Sequence, residues 1–211
     1  MIDAELWESH AAAFGTLGRL HREPPDQEVL AALHDLLPQW PLRGTLEAET
    51  GLTHWQRSWQ LGEDAELIRL DHDRLYGVSA AAAVAPYESV HRGDDGLVFD
   101  VATLRVRSAY LGLGLESPHL NREPDDHLGL EFDFVSQALL RAVGAADQGE
   151  EGTARAALDA ARDFVRDHLL TWAPEMLAAA AEAARTEFMT GLMLLSRATL
   201  DSCRTGFGLP A

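Results

Sequence analysis

Two clusters of histidine and carboxylate side chains are the residues of this chain best suited to metal chemistry. His127 and Glu131 stand four positions apart, so on a helix they share one face. Asp71 and His72 are adjacent in a second cluster. Because imidazole and carboxylate groups bind zinc, iron and manganese, these four residues predict, as one hypothesis, a helical metal-dependent enzyme.

The acidic residues just before His127 have a structural alternative. Asp125 and Asp126 precede a strongly apolar helical pattern, where carboxylates cap the helix and favour its positive end. The zinc-peptidase pattern His-Glu-x-x-His is absent from the sequence. We therefore expect Asp125 in particular to act as a helix cap.

Nucleophilic and dinucleotide chemistry find no matching pattern. Ser89 lacks a Gly-x-Ser-x-Gly context, and Cys203 has no histidine near it in the sequence. Gly112 and Gly114 do not follow a predicted strand, which the dinucleotide-binding fingerprint requires. These positions predict neither a catalytic residue nor a cofactor site.

A recognition surface is the second possible role of the segment around His127. At about 100° per residue, Leu128 and Phe132 define the core-facing stripe of a helix. His127, Glu131 and Phe134 then fall on an adjoining stripe, which favours a binding surface. The structural alternative is a histidine that only satisfies the start of a helix.

The charge balance excludes several classes of function. The 211 residues carry 34 acidic and 17 basic side chains, a formal net charge of −17, and all the basic residues are arginine. Without lysine the chain cannot be a P-loop protein, a Schiff-base or pyridoxal enzyme, or a protein kinase. The acidic excess also disfavours nucleic acid and anionic membrane surfaces as partners.

The sequence also indicates the compartment. The single cysteine excludes an intramolecular disulfide framework. The first residues lack the basic start and apolar core of a secretory signal, and no run of about 18 apolar residues indicates a membrane span. We expect a cytoplasmic protein without stable membrane insertion.

Helices must position these candidate residues, because the dominant hydrophobic period of the chain is helical. The pattern predicts an all-α fold: one domain over residues 1–211, about eight helices, and a frayed tail over about 205–211. Asp26 is expected to cap one helix, and Pro174 to begin a long last helix that continues to Thr199. Two long central loops, 77–99 and 116–124, interrupt the pattern, and the first ends in a brief β-like run at 96–99.

Three motifs in a fixed order make the sequence more specific. They are Pro86-Tyr87-Glu88-Ser89-Val90 in the first loop, Glu123-Pro124-Asp125-Asp126-His127 before the helix that carries Glu131, and His168-Leu169 followed by Trp172. Over about residues 71–174 this set resembles the TorD/DmsD/NarJ family of chaperones for molybdenum-containing oxidoreductases. Asp125 stands where the family pattern has a second proline, which adds charge and relaxes a backbone restriction.

The resemblance implies an all-helical, non-catalytic protein of the TorD/DmsD-like branch that uses no cofactor. Such chaperones bind the apo catalytic subunit of a molybdopterin-dependent enzyme, often through its basic and apolar twin-arginine leader, until the cofactor is inserted, and thereby delay export. The residues implied for leader binding are Tyr87, Glu88, Ser89, Asp126 and His127. Relatives occur as monomers and as domain-swapped dimers, so the resemblance implies either state.

A receptor for such a leader needs carboxylates beside an apolar groove. The carboxylates expected to meet its guanidinium groups are Glu88, Asp126 and Glu131. The rings expected to line its apolar part are Tyr87, Tyr76 and Phe134, with core packing as the alternative for the last two. Two other hypotheses remain: the metal-dependent enzyme, and a helical interaction module without leader specificity.

Overall fold

The structure is a computed structural model that describes residues 2–77, 82–92, 101–117 and 124–210. Within these ranges the chain forms ten α-helices: α1 Ala4–Arg22, α2 Gln27–Leu36, α3 Leu46–Leu61, α4 Ala65–Tyr76, α5 Glu88–Arg92, α6 Val101–Gly112, α7 Leu128–Asp147, α8 Glu151–Asp167, α9 Ala173–Ala183 and α10 Glu187–Gly206. Two short 3-10 helices, Leu37–Gln39 and Leu169–Thr171, complete the described elements. The predicted all-α class is confirmed, with ten α-helices in these ranges where about eight were expected.

Two differences from the prediction account for the additional helices. The first central loop contains α5, which is one turn and a half long. The predicted last helix is split into α9 and α10, because Ala184 adopts an extended conformation and Thr186 caps α10 by accepting a hydrogen bond from the Met189 amide at 3.2 Å. The predicted β-like run at 96–99 and Glu123 lie outside the described residues.

Local signals in the sequence set several helix ends. Asp26 caps α2, as predicted, because its Oδ1 accepts a hydrogen bond from the Val29 amide at 2.8 Å. Gly62 ends α3 in the left-handed conformation with φ of 71°, a conformation that glycine adopts without steric cost. Pro174 lies in the first turn of α9, as predicted.

Close packing of α1 against α7 forms the centre of the bundle. A Cβ added at Gly18 of α1 would lie 2.8 Å from the Gly129 carbonyl oxygen of α7, so both helices need glycine at this crossing. Beside it, the Phe14 and Phe132 rings meet edge to face with centroids 5.0 Å apart. This contact fixes the start of α7, which carries His127 and Glu131.

The second layer is formed by α3 and α10. At their crossing, Trp55 Nε1 donates a hydrogen bond to the Phe188 carbonyl at 3.0 Å. The sequence predicted fraying from about residue 205, whereas α10 continues to Gly206 and Phe207 stacks on Trp7 of α1 with centroids 4.3 Å apart. Among the described residues, no helix combines the length and the apolar character that crossing a bilayer requires.

Candidate functional site

The first two sequence motifs lie side by side, although 40 residues separate them along the chain. Tyr87 and His127 form an isolated antiparallel β-bridge. The Leu128 amide donates to the Pro86 carbonyl at 2.8 Å, and the Glu88 amide donates to the Asp126 carbonyl at 3.0 Å. The loop before α5 and the turn before α7 are therefore one structural unit.

Asp126 holds this unit together from the inside. Its side chain is fully buried. Oδ2 accepts a hydrogen bond from the Ser89 amide at 2.7 Å, and Oδ1 accepts one from the Thr103 hydroxyl at 2.8 Å. Asp126 thus joins the start of α5 to α6, and both of its carboxylate oxygens have partners within the protein.

Asp125 is not the helix cap that the sequence suggested. It is fully buried, and its Oδ2 accepts from Arg107 Nε at 2.6 Å. The Tyr110 hydroxyl donates to its carbonyl oxygen at 3.0 Å. The prediction was wrong because Asp125 and Asp126 form a turn before the helix, so that His127 becomes the residue that caps α7.

His127 is half-buried and has a structural role. Its Nδ1 accepts a hydrogen bond from the Gly129 amide at 3.0 Å, which caps α7. The Tyr87 ring meets the imidazole edge to face with centroids 5.2 Å apart, and Tyr76 lies behind it at 6.5 Å. Burial, together with the nearby positive charges of His72 and Arg22, lowers the pKa of His127 to about 3. The ring is therefore neutral at physiological pH.

A buried polar cluster around His21 lies beside His127. Tyr76 hydroxyl and Ser196 hydroxyl hydrogen bond to the two ring nitrogens of His21, at 2.7 Å and 2.8 Å. His72 Nε2 donates to the His21 carbonyl oxygen at 3.2 Å. Burial lowers the pKa of His21 well below its ordinary value and raises that of Tyr76 well above it.

Sequence reasoning missed His21, although a signal for it exists. The residue stands four positions after Leu17 and seven after Phe14, both of which lie on the buried face of α1. A histidine on such a stripe must find buried polar partners, and Tyr76 and Ser196 provide them. Tyr76 is consequently a packed and hydrogen-bonded residue, which agrees with the core-packing alternative stated for it.

Glu88 is the centre of a charged cluster that includes the third motif. Its fully buried carboxylate pairs with Arg92 one helical turn later and accepts a hydrogen bond from His168 Nδ1 at 2.8 Å. Arg92 also donates to the Asp167 carbonyl at 3.0 Å. Burial alone would raise the pKa of Glu88, but His168 and Arg92 outweigh it and hold the pKa below its ordinary value.

Glu131 is the second buried carboxylate of this region. It is fully buried, and its Oε2 accepts a hydrogen bond from Trp172 Nε1 at 3.3 Å. Burial and the negative charges of Glu88 and Asp126 raise the pKa of Glu131 well above its ordinary range. Glu131 therefore keeps its proton to a higher pH than an exposed glutamate does.

Phe134, the last predicted site residue, lies apart from the others. It is two helical turns along α7 from His127, and its ring packs against Tyr110 and Phe164 with centroids 5.1 Å and 4.5 Å apart. Only 3 % of its surface is exposed. Phe134 is therefore packed in the core, which is the alternative stated for this residue.

Burial divides the predicted peptide-binding residues into two groups. Tyr87 and His127 are partly exposed. The others are buried, namely Tyr76, Glu88, Ser89, Asp126, Glu131 and Phe134. The expectation that three carboxylates face a ligand needs correction, because the side chains of Glu88, Asp126 and Glu131 bind partners inside the protein.

The carboxylates of the metal hypothesis bind different partners. Asp71 Oδ2 accepts hydrogen bonds from the Arg185 and Thr186 amides at 2.7 Å and 2.8 Å, whereas Glu131 Oε2 accepts one from Trp172 Nε1 at 3.3 Å. Glu88 and His91 have the Glu-x-x-His spacing of helical iron sites, but His91 Nε2 donates to the Ala85 carbonyl at 2.7 Å instead. In the part of the chain that the structure describes, no three His, Cys, Asp or Glu side chains are grouped to hold a metal ion.

Comparison with known proteins gives a family match over most of the chain. The model of the family described as nitrate reductase delta subunit matches residues 23–178. Several curated proteins that are similar in sequence to this chain are named chaperone protein TorD. The one from Vibrio cholerae serotype O1 (strain M66-2) is 31% identical over 113 residues, which cover 53% of this chain and 50% of that protein. The alignment thus spans about half the length of this relative.

A second TorD chaperone and one solved structure match over longer ranges. TorD from Vibrio atlanticus (strain LGP32) is 26% identical over 175 residues, which cover 80% of each chain. A structure described as a putative redox enzyme maturation protein from Archaeoglobus fulgidus superposes with a TM-score of 0.49 and 18% identity, over 93% of both chains.

Proposed function

The chain belongs to the TorD/NarJ family, and from this premise we propose that it is a chaperone for a molybdopterin-dependent oxidoreductase. The family model that matches the chain is the one described as nitrate reductase delta subunit. It binds the apo catalytic subunit in the cytoplasm through a basic and apolar twin-arginine leader. Binding holds the subunit until its cofactor is inserted and delays export. The protein itself carries out no catalysis and uses no cofactor.

The joining of the two central motifs around Tyr87 and His127 is the observation that supports this proposal most. A phenol ring and a neutral imidazole meet edge to face at the surface of a unit whose backbone is fixed by the buried Asp126. Rings that are already held in place lose little conformational entropy when a peptide binds. We therefore assign direct peptide contact to Tyr87 and His127.

The buried members of the predicted site hold the residues of this surface in position. Asp126, Ser89 and Glu88 hold the loop in its conformation. Tyr76 supports the His127 ring from behind. Their substitution is expected to lower affinity through loss of the loop geometry and not through loss of a contact to the peptide.

Charge supports a basic partner. The net charge of −17 attracts a cationic leader over distances of about the Debye length, so association is faster at low salt. Either a monomer or a domain-swapped dimer is compatible with this role, because each copy carries the two motifs.

The test is binding of any molybdoenzyme catalytic subunit that is encoded beside this protein's gene, and of its leader peptide, by titration calorimetry. We expect His127→Asn to weaken leader binding about tenfold. Asparagine is a good helix cap, so this substitution removes the ring and keeps the start of α7. Tyr87→Ala is expected to act in the same direction.

The matched control is His34→Asn, because His34 lies on α2 and stacks on Trp59, away from both motifs. It should leave the affinity unchanged. Equal affinities of the wild type and both site variants would refute the assignment of Tyr87 and His127. A failure of the wild type to bind any neighbouring molybdoenzyme subunit would refute the function.

A further inference from the structure

The side chain of Arg22, the last residue of α1, lies across the first turn of α7. A Cβ added at Gly129 would be 2.5 Å from Arg22 Cγ and 3.2 Å from Arg22 Cδ, so the glycine leaves room for the arginine stem. The residue is half-buried. Its stem thus carries a positive charge to the start of α7, close enough to His127 to lower the pKa of that ring.

This guanidinium group has no partner in the described part of the chain. Most of the arginines that the structure describes pair with a carboxylate, whereas Arg22 forms neither an ion pair nor a side-chain hydrogen bond there. The other described arginines without a carboxylate partner are all exposed, namely Arg19, Arg105, Arg141 and Arg185. Arg22 is therefore the half-buried exception, although the chain has twice as many acidic as basic residues.

A structural role explains only part of this arrangement. A cation in the last turn of α1 complements the negative end of the helix dipole. Arg19 lies in the same turn and does so as an exposed side chain, without a stem packed on another helix. Neither Glu23, the next residue, nor Asp133 on α7 lies at ion-pair distance from Arg22. The fold thus partly desolvates a charge and leaves it uncompensated, which costs stability unless a ligand compensates it.

His127 provides a hydrogen-bond donor near Arg22. Its Nδ1 accepts a hydrogen bond from the Gly129 amide, so in the neutral ring the proton is on Nε2. Among the described residues this Nε2–H group has no acceptor. A carboxylate accepts hydrogen bonds at both of its oxygens, and charge-assisted bonds from a guanidinium group are among the strongest. The chemistry of the two donors therefore selects an anion and disfavours a basic group.

We propose that Arg22 and His127 Nε2 bind a carboxylate of the partner polypeptide, the side chain of an aspartate or a glutamate. The source of the carboxylate rests on the proposed function, because His127 is there assigned to the contact with the partner. A carboxylate fits better than a phosphate, since it carries a single negative charge and a protein with a net charge of −17 repels a second one. Binding then requires an acidic residue of the partner in addition to its basic stretch.

Two small probes that differ only in the carboxylate test the subsite: the amide of N-acetylglutamate and the amide of N-acetylglutamine. The readouts are the Gly129 amide and the Arg22 Nε–H resonances of the ¹⁵N-labelled wild-type protein at low salt. We expect a saturable shift with the glutamate probe and none with the glutamine probe. Arg22→Gln should weaken binding of the glutamate probe about tenfold, as judged from the Gly129 resonance.

The matched control is Arg19→Gln, which removes the same charge from the same helical turn. It should leave the response to the glutamate probe unchanged. Neither variant should lower the melting temperature more than the other, because neither side chain has an internal partner. Equal weakening by the two substitutions would show an effect of net charge alone and overturn the subsite. Equal responses to the two probes, or no response of the wild type, would overturn it as well.

Inorganic phosphate is the third probe. A stronger response to phosphate than to the glutamate probe would overturn the choice of a carboxylate.

Calorimetry with a molybdoenzyme subunit encoded beside the gene tests the source of the carboxylate. We expect Arg22→Gln to weaken binding of the subunit about tenfold and Arg19→Gln to leave it unchanged. Unchanged affinity of the Arg22→Gln protein would overturn the partner as the source and leave the chaperone function standing. A wild-type protein that binds the glutamate probe but no such subunit would refute the proposed function and retain the carboxylate subsite.

Discussion

Glu88 and His168 are 80 residues apart in sequence, and Glu88 Oε2 accepts a hydrogen bond from His168 Nδ1 at 2.8 Å. This single contact joins the first motif to the third. Because Glu88 is fully buried, the contact also determines where α5 lies against the end of α8. The candidate surface around Tyr87 begins directly before this buried residue, so its position follows from the pair.

Loss of the Glu88 charge should destabilise the fold. We expect Glu88→Gln to lower the free energy of unfolding by about 2 kcal/mol, because hydrogen bonds to a charged group are weakened at Arg92 and His168 together. Urea unfolding at neutral pH measures the change. The control is Asp201→Asn, whose partner Arg204 forms an exposed ion pair, and which should change stability by less than about 0.5 kcal/mol. Equal effects of the two substitutions would contradict a special role of the buried pair.

Glu131 should make the protein less stable as the pH rises. A carboxyl whose pKa is raised in the folded state binds a proton there that the unfolded chain has already released. Its contribution to stability is therefore lost as pH rises from about 4.5 towards the folded pKa. Glu131→Gln should remove this loss and make the protein more stable than the wild type at about pH 8, with a smaller difference near pH 5.

Thermal and urea unfolding at several pH values test this prediction. The slope that one proton contributes is at most about 1.4 kcal/mol per pH unit. Glu175→Gln is the control, because Glu175 lies at the exposed start of α9 and should not alter the pH profile. A Glu131→Gln protein that is less stable than the wild type at about pH 8 would sink the argument.

The buried histidines should have the opposite effect in acid. His127 and His21 have lowered pKa values, so they stabilise the folded state fully above the ordinary value of 6.5, and this contribution is lost as pH falls below that value, for His127 down to its folded pKa of about 3. In the Glu131→Gln background we expect stability to fall between about pH 7 and pH 5, and to fall less when His127→Asn is added. The comparison is best made in the Glu131→Gln background, which lacks the opposing contribution of that carboxyl. Parallel profiles with and without His127 would exclude it as a source of the slope.

Asp71 should be a structural residue and not a metal ligand. Its Oδ2 accepts hydrogen bonds from two amides and the hydroxyl at the α9–α10 junction, and its Oδ1 pairs with Arg74. Asp71→Asn should cost about 3 kcal/mol of stability, because one amide oxygen cannot replace both carboxylate oxygens.

Two controls accompany the Asp71 substitution. Asp73→Asn, on the same helix and in an exposed pair with Arg69, should cost less than about 1 kcal/mol. Dialysis against a chelator should leave the melting temperature of the wild type unchanged. A fall in melting temperature that added zinc, iron or manganese reverses would support the metal hypothesis instead.

Local sequence signals were sufficient for much of the secondary structure. The helical period predicted the all-α class, and Asp26 and Pro174 marked helix starts, because caps and periodicity depend on residues within one or two turns. The split between α9 and α10 was not predicted, because Asp71 from α4 satisfies the amides at the break. A partner so distant in sequence leaves no local signal.

The sequence by itself determined the three motifs, their order and the acidic excess. Only the tertiary structure decided which of them reach the surface. Glu88, Asp126 and Glu131 look like exposed charges in the sequence, but the fold surrounds them with His168, Thr103 and Trp172. The physical reason is that a carboxyl group can be buried when hydrogen-bonding partners compensate its desolvation, and these partners come from distant parts of the chain.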